Sequence, residues 1–165
     1  MEYTDFHLPP GHPISLLQLE NAGLEQVLDI ISRECAEDCV PDAGTVVKAL
    51  IDFNGVRAHY AKTEELLMPF LYAYGVTGPA NVLWDTDDEI KKELGILTRA
   101  AREDAENVVI YKGRIAAVAQ KAREMIIKEE KILYPQSLRF FTEEEWLRIY
   151  RDFPEMGMAF VDNPP

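Results

Sequence analysis

Cysteine is scarce in this chain of 165 residues, with Cys35 and Cys39 the only two. Two thiols cannot staple a small fold. Their i, i+4 spacing leaves a redox pair or a pair of reduced thiols in a cytosolic protein. Histidine is nearly as rare: His7, His12 and His59 are the full complement. Lys and Arg number 17 against 29 Asp and Glu, a net charge of −12. Such a chain repels phosphates, so neither a nucleic-acid partner nor an anionic membrane surface is expected. No apolar run approaches the roughly 20 residues that span a bilayer. Met1 to Pro10 lacks the basic start and apolar stretch of a signal peptide. The expected location is therefore cytoplasmic. Phosphate-cradling glycine loops, Gly-x-Ser-x-Gly turns and convincing period-two alternation are also missing.

What remains is helix. The hydrophobic share of 47% suffices for one core at this length. Pro13 suits a first helical position, and Leu16, Leu19, Gly23, Val27 and Ile30 follow at helical spacing, with Leu24, Leu28 and Ile31 alongside. A second helix is predicted from about Thr45 to Tyr74, with a kink or early end at Pro69. A third starts near Pro79 and carries Leu83, Asp87, Ile90, Leu94 and Leu97. A fourth follows a turn near residues 102–107 and runs to about Pro135, aligning Val118, Ala122, Met125, Glu129 and Ile132. Thr142 and Glu145 form a capping-box pattern opening a short fifth helix. The reading is an all-α bundle of four main helices in a single domain over residues 1–165. Its core covers about 8–153, and residues 154–165 form a tail whose Pro164-Pro165 suits a linker.

The second and fourth helices end alike. His59-Tyr-Ala-Lys-Thr-Glu64-Glu65-Leu-Leu-Met-Pro69 is matched by Met125-Ile-Ile-Lys-Glu129-Glu130-Lys-Ile-Leu-Tyr-Pro135. Where the first copy has His59 the second has Met125; where the second has Glu129 the first has Thr63. Several polar groups also fall on apolar lines. Asp87 shares a line with Leu83 and Ile90, Glu129 lies between Met125 and Ile132, and His59 sits one turn from Val56 and Thr63. His12 extends the Leu16–Leu19 line, and Glu64 borders Tyr60, Leu67 and Met68. Buried carboxylates repel one another unless paired, protonated or bound to a cation. Imidazole with carboxylate suits iron, manganese or zinc. The metal-ligand candidates are His12, His59, Glu64, Asp87 and Glu129, with Glu130 as a supporting group. Each has a plainer reading; for Asp87 it is the acidic first turn of a helix.

With these residues in place, the chain resembles the hemerythrin-like (HHE) cation-binding domains. The resemblance is carried by Pro10-Gly-His12-Pro, the two matched helix ends, Val82-Leu-Trp84-x-x-Asp87 and the stretch leading to Trp146. It is closest to a prokaryotic branch with no assigned function that is often found beside PAS sensor domains. The resemblance implies an up-down-up-down bundle with a di-iron or related site. In oxygen-binding members, five histidines and two carboxylates hold two irons. His12 and His59 then take histidine positions, and Glu129 keeps an acid position. Asp87, Met125 and Thr63 replace expected ligands, and Glu64 lies one residue out of phase, about 100° around an α-helix. Three histidines cannot supply five. The expected function is a histidine-poor, carboxylate-rich site for iron or another divalent metal, in sensing, storage or redox signalling. Its partners would be the metal, dioxygen or another small diatomic, and a sensor domain. The alternatives are a metal-free regulatory or interaction module and, third, a carboxylate-bridged metal oxidase or peroxidase.

Overall fold

Pro13 opens the first helix as its spacing predicts, and His12 caps it: the imidazole Nδ1 accepts from the Ile14 amide at 3.1 Å. The structure, a computed structural model, describes residues 3–161; Pro164 and Pro165 lie outside them. In chain order the helices are α1 (Pro13–Glu34), α2 (Ala43–Phe53), α3 (Val56–Lys62), α4 (Met68–Ala73) and α5 (Gly78–Glu103). Then come α6 (Asn107–Ile110), α7 (Lys112–Lys128), α8 (Tyr134–Phe140) and α9 (Glu143–Asp152). No strand occurs among the described residues. Helix α1 packs on α2 and α7, and α5 packs on the same two, so four helices close around one core. The protein is an all-α helical bundle.

The long second and fourth helices depart from expectation in the same way. Between α3 and α4 the chain makes a π-helical turn, Thr63–Leu67; between α7 and α8 it makes another, Glu129–Leu133. The Met68 amide reaches back five residues to the Thr63 carbonyl, and the Tyr134 amide to that of Glu129. Pro69 and Pro135 come next. A proline inside an α-helix lacks its donor and presses on the preceding turn. Widening that turn removes the conflict, so the fourth helix does not end at Pro135 but continues to Phe140. The second helix is further divided at Asn54-Gly55.

Phase changes follow. Both members of each leading pair, Thr63 with Glu64 and Glu129 with Glu130, are buried. The 100° offset expected for Glu64 therefore does not turn it outward. Within the second π turn Leu133, rather than Ile132, takes the buried position. In α1 the buried face includes Ile14, Leu16, Leu17, Glu20, Asn21, Leu24, Leu28 and Ile31, so Leu16 and the flanking Leu24, Leu28 and Ile31 lie inward as expected. Leu19 is exposed and Val27 and Ile30 are half-buried, because Glu20 and Asn21 take the inward positions beside them. The capping box at α9 forms as predicted: Thr142 Oγ1 accepts from the Glu145 amide, and Glu145 accepts from the Thr142 amide.

Candidate functional site

Two carboxylates bracket one imidazole in the core. His59, from α3, faces Glu20 Oε1 with Nδ1 at 2.8 Å and Glu129 Oε1 with Nε2 at 2.9 Å. All three side chains are buried. Glu20 Oε2 also accepts from the Lys62 ammonium and, at 2.6 Å, from the Ala159 amide. Glu129 Oε1 accepts from Asn21 Nδ2 at 2.8 Å and from the Tyr134 hydroxyl at 3.0 Å. Lys62 itself is fully buried, with its ammonium 5.0 Å from the centre of the Phe153 ring. Elements far apart in sequence thus contribute to one network: α1, α3, the second π turn, the start of α8 and the C-terminal segment.

Its charges balance. Burial opposes a charge on His59, but Glu129 and Glu20 outweigh burial and lift the imidazole pKa to about 10. As imidazolium it donates from both nitrogens. Burial likewise works against ionised Glu20, yet His59 and Lys62 hold its pKa below the ordinary carboxylate value. The His59 imidazolium and the Lys62 side chain thus face the carboxylates of Glu20 and Glu129. Asp87, at the edge of this arrangement, behaves differently. Burial, reinforced by Glu129 and Glu64, pushes its pKa up to about 9, so it carries a proton at neutral pH.

These shifts give the pH dependence a sign. The folded His59 holds its proton to about 10 against 6.5 when unfolded, so its contribution is intact below 6.5 and lost as pH rises through 10. Folded Asp87 holds a proton to about 9 that the unfolded chain releases near 3.8, so stability also falls with rising pH across that window. Urea unfolding in chelator should show a lower midpoint at about pH 9.5 than at about pH 6.5. A flat profile would contradict the charge assignment.

The other anticipated residues are placed as follows. Glu64 is buried and accepts from Lys91 at 3.1 Å. Glu130 is buried and takes the Gln18 amide at 2.9 Å; burial raises its pKa, with Gln18 opposing. His12 caps α1, packs against Trp146 at a tilt of 56° with ring centres 4.5 Å apart, and is joined to the network by no hydrogen bond among the described residues. Burial lowers its pKa. Cys35 is buried and Cys39 exposed, both free, and burial raises the Cys35 thiol. Glu20, Asn21, Lys62 and Tyr134 were not anticipated. Glu20 and Asn21 had a signal, being flanked by Leu16, Leu17 and Leu24 at helical spacing. Nothing local distinguishes Lys62 from a surface lysine.

The suitability of these groups for a cation rests on their unsatisfied atoms. Asp87 Oδ1, the Tyr60 hydroxyl and Asn21 Oδ1 are buried without a hydrogen-bond partner. Burial, with Asp87, Glu129 and Glu64 adding to it, raises the Tyr60 hydroxyl. Unpaired buried oxygen beside further carboxylate is suited to a hard or borderline divalent ion. Among the described residues no three His, Cys, Asp or Glu side chains stand close enough to hold a metal as they are. The donors fit by chemical type, and they would have to draw together.

An all-α bundle with carboxylates and an imidazole facing one another inside it defines a class of cation-binding helical domain. The chain belongs to the hemerythrin HHE cation-binding domain family, whose model matches residues 12–137. That match runs from the cap of α1 into α8 and stops before α9. At the family level this implies binding of iron or another cation. No curated protein matches the chain. No helix among the described residues is long and apolar enough to cross a membrane.

Proposed function

We propose that the chain binds one divalent cation, iron first, on the Asp87–Glu129 side of the network, with His59 and Glu64 as the remaining donors. The observation that carries this reading is the unpartnered, buried Asp87 Oδ1. A buried carboxyl oxygen with nothing to bond is rare and calls for an explanation. Protons on Asp87 and His59 now offset the carboxylates; a bound cation would take over that charge compensation, and its binding would release protons. When bound, the ion supplies Lewis acidity and, for iron, one-electron redox chemistry. The chain's own residues would hold and orient it: Asn21 and Tyr134 fix Glu129, and Lys91 steadies Glu64. A role in sensing, storage or redox signalling, with a small diatomic ligand and a sensor-domain partner, draws on the sequence resemblance alone.

A second reading has its own observation. Lys62 and His59 already place two positive charges among the core carboxylates, as a metal-free regulatory module would need. Metal analysis of protein purified without chelator, then reconstituted anaerobically with Fe(II), separates the two. About one ion per chain supports the cation site; well below that leaves the metal-free bundle.

A further inference from the structure

The C-terminal segment does not leave the bundle after α9 but folds back over it. Phe153 lies against the Lys62 ammonium, and a single 3₁₀ turn, Pro154–Met156, redirects the chain. Ala159 is then buried, with its amide on Glu20 Oε2. Phe160 seats beside two glycines. A Cβ on Gly23 would stand 2.5 Å from Phe160 Cβ and 2.8 Å from its carbonyl oxygen, and one on Gly55 would meet the Phe160 ring at 3.2 Å. Only glycine leaves room at Gly23.

We propose that residues 157–160 form a releasable strap that seals the Glu20–Lys62–His59 end of the polar network, and that its release is what opens this network to solvent and its ions. Three features support a device that moves rather than a fixed wall. Both ends are left-handed, Gly157 at φ 73° and Phe160 at φ 62°; glycine adopts that conformation freely, whereas phenylalanine is strained there. The strap is four residues long and holds the core through Met158, Ala159 and Phe160 and a single backbone hydrogen bond to Glu20, a small contact of the kind that opens below the global unfolding energy. Glu20 keeps Lys62 and His59 when the strap leaves, and water can replace the Ala159 amide, so the open state has no stranded charge. The family match ends at residue 137, so the strap lies outside the part of the chain that the family model describes.

The test is chemical footprinting of Lys62 on the full chain in chelator, with no metal added, so that its outcome is independent of the cation reading. Acetylation is followed by mass spectrometry, with exposed Lys48 as the internal reference and amide exchange over residues 157–161 reporting the strap. Gly23→Ala blocks the Phe160 seat; Ala159→Pro removes the donor to Glu20 without touching α1. Either variant that keeps the helical circular dichroism should label Lys62 faster by about tenfold or more, as expected for loss of a bond to a charged acceptor. Lys48 labelling should not change. Faster strap exchange with Lys62 labelling as in wild type would overturn the proposal, as would strap exchange unaltered in both folded variants. Should Gly23→Ala fail to fold, Ala159→Pro decides alone; should both fail, Phe160→Gly, which relieves the strained φ and removes the ring, decides by the same two readouts.

Discussion

Lys62→Ala is expected to cost about 3–5 kcal/mol of folding stability, the usual result of removing one partner from a buried ion pair. Its ammonium has no exposure, and it is bonded to a Glu20 carboxylate that is equally buried. Alanine would leave Glu20 with His59 and one amide, and would open a cavity beside Phe153. Replacing the pair together should behave differently. Lys62→Met with Glu20→Leu removes both charges and keeps most of the volume, and such exchanges are often close to neutral. His59 then loses one acceptor, so the double variant should recover most, not all, of the loss. Urea unfolding at about pH 7 measures both. A loss below about 1 kcal/mol for Lys62→Ala would mean that the ammonium is not committed to Glu20.

The two carboxylates nearest the candidate cation are expected to respond in opposite directions. Glu129→Ala strips the acceptor from His59, Asn21 and Tyr134 at once, and should lower stability by about 3–5 kcal/mol. Asp87→Asn removes a carboxyl that burial already forces to hold a proton to about 9. In chelator this variant should match wild type only near pH 4, already exceed it at neutral pH, and widen the gap up to about pH 9, because the unfolded chain no longer gains from ionising Asp87. Fe(II) binding should fall in both, by about tenfold or more. The decisive pattern is Asp87→Asn folded, more stable than wild type in chelator at neutral and alkaline pH, and weaker for Fe(II) by about tenfold or more. If it binds as wild type does, Asp87 is not a ligand.

The sequence carried more of the fold than of the site. Apolar residues at helical spacing, Pro13 at a helix start and the Thr142–Glu145 box are local signals, and each produced the helix it predicts. The repeated helix ends were legible too, though not for what they do. They read as matched helix ends with different candidate ligands, and in the structure both copies form a π turn just ahead of a proline. The repeat therefore records a shared backbone solution and keeps two adjacent side chains inward at each site.

By itself the sequence determined that the chain is helical, which lines are apolar, and that Glu129, Asp87 and His59 share those lines. It also set the limit that three histidines cannot make a five-histidine site. Only the tertiary structure decided which polar groups meet. His59 is bracketed by Glu20 and Glu129, from positions 39 residues before it and 70 after it. Lys62 faces inward against a segment 91 residues later, as its approach to Phe153 shows. His12 is drawn away to cap α1 and pack against Trp146. The physical reason is plain. Helical periodicity assigns a side chain to a face from its near neighbours alone, but a buried charge is tolerated only where packing brings it a partner. That pairing is a property of the assembled bundle, with the C-terminal strap laid across its end.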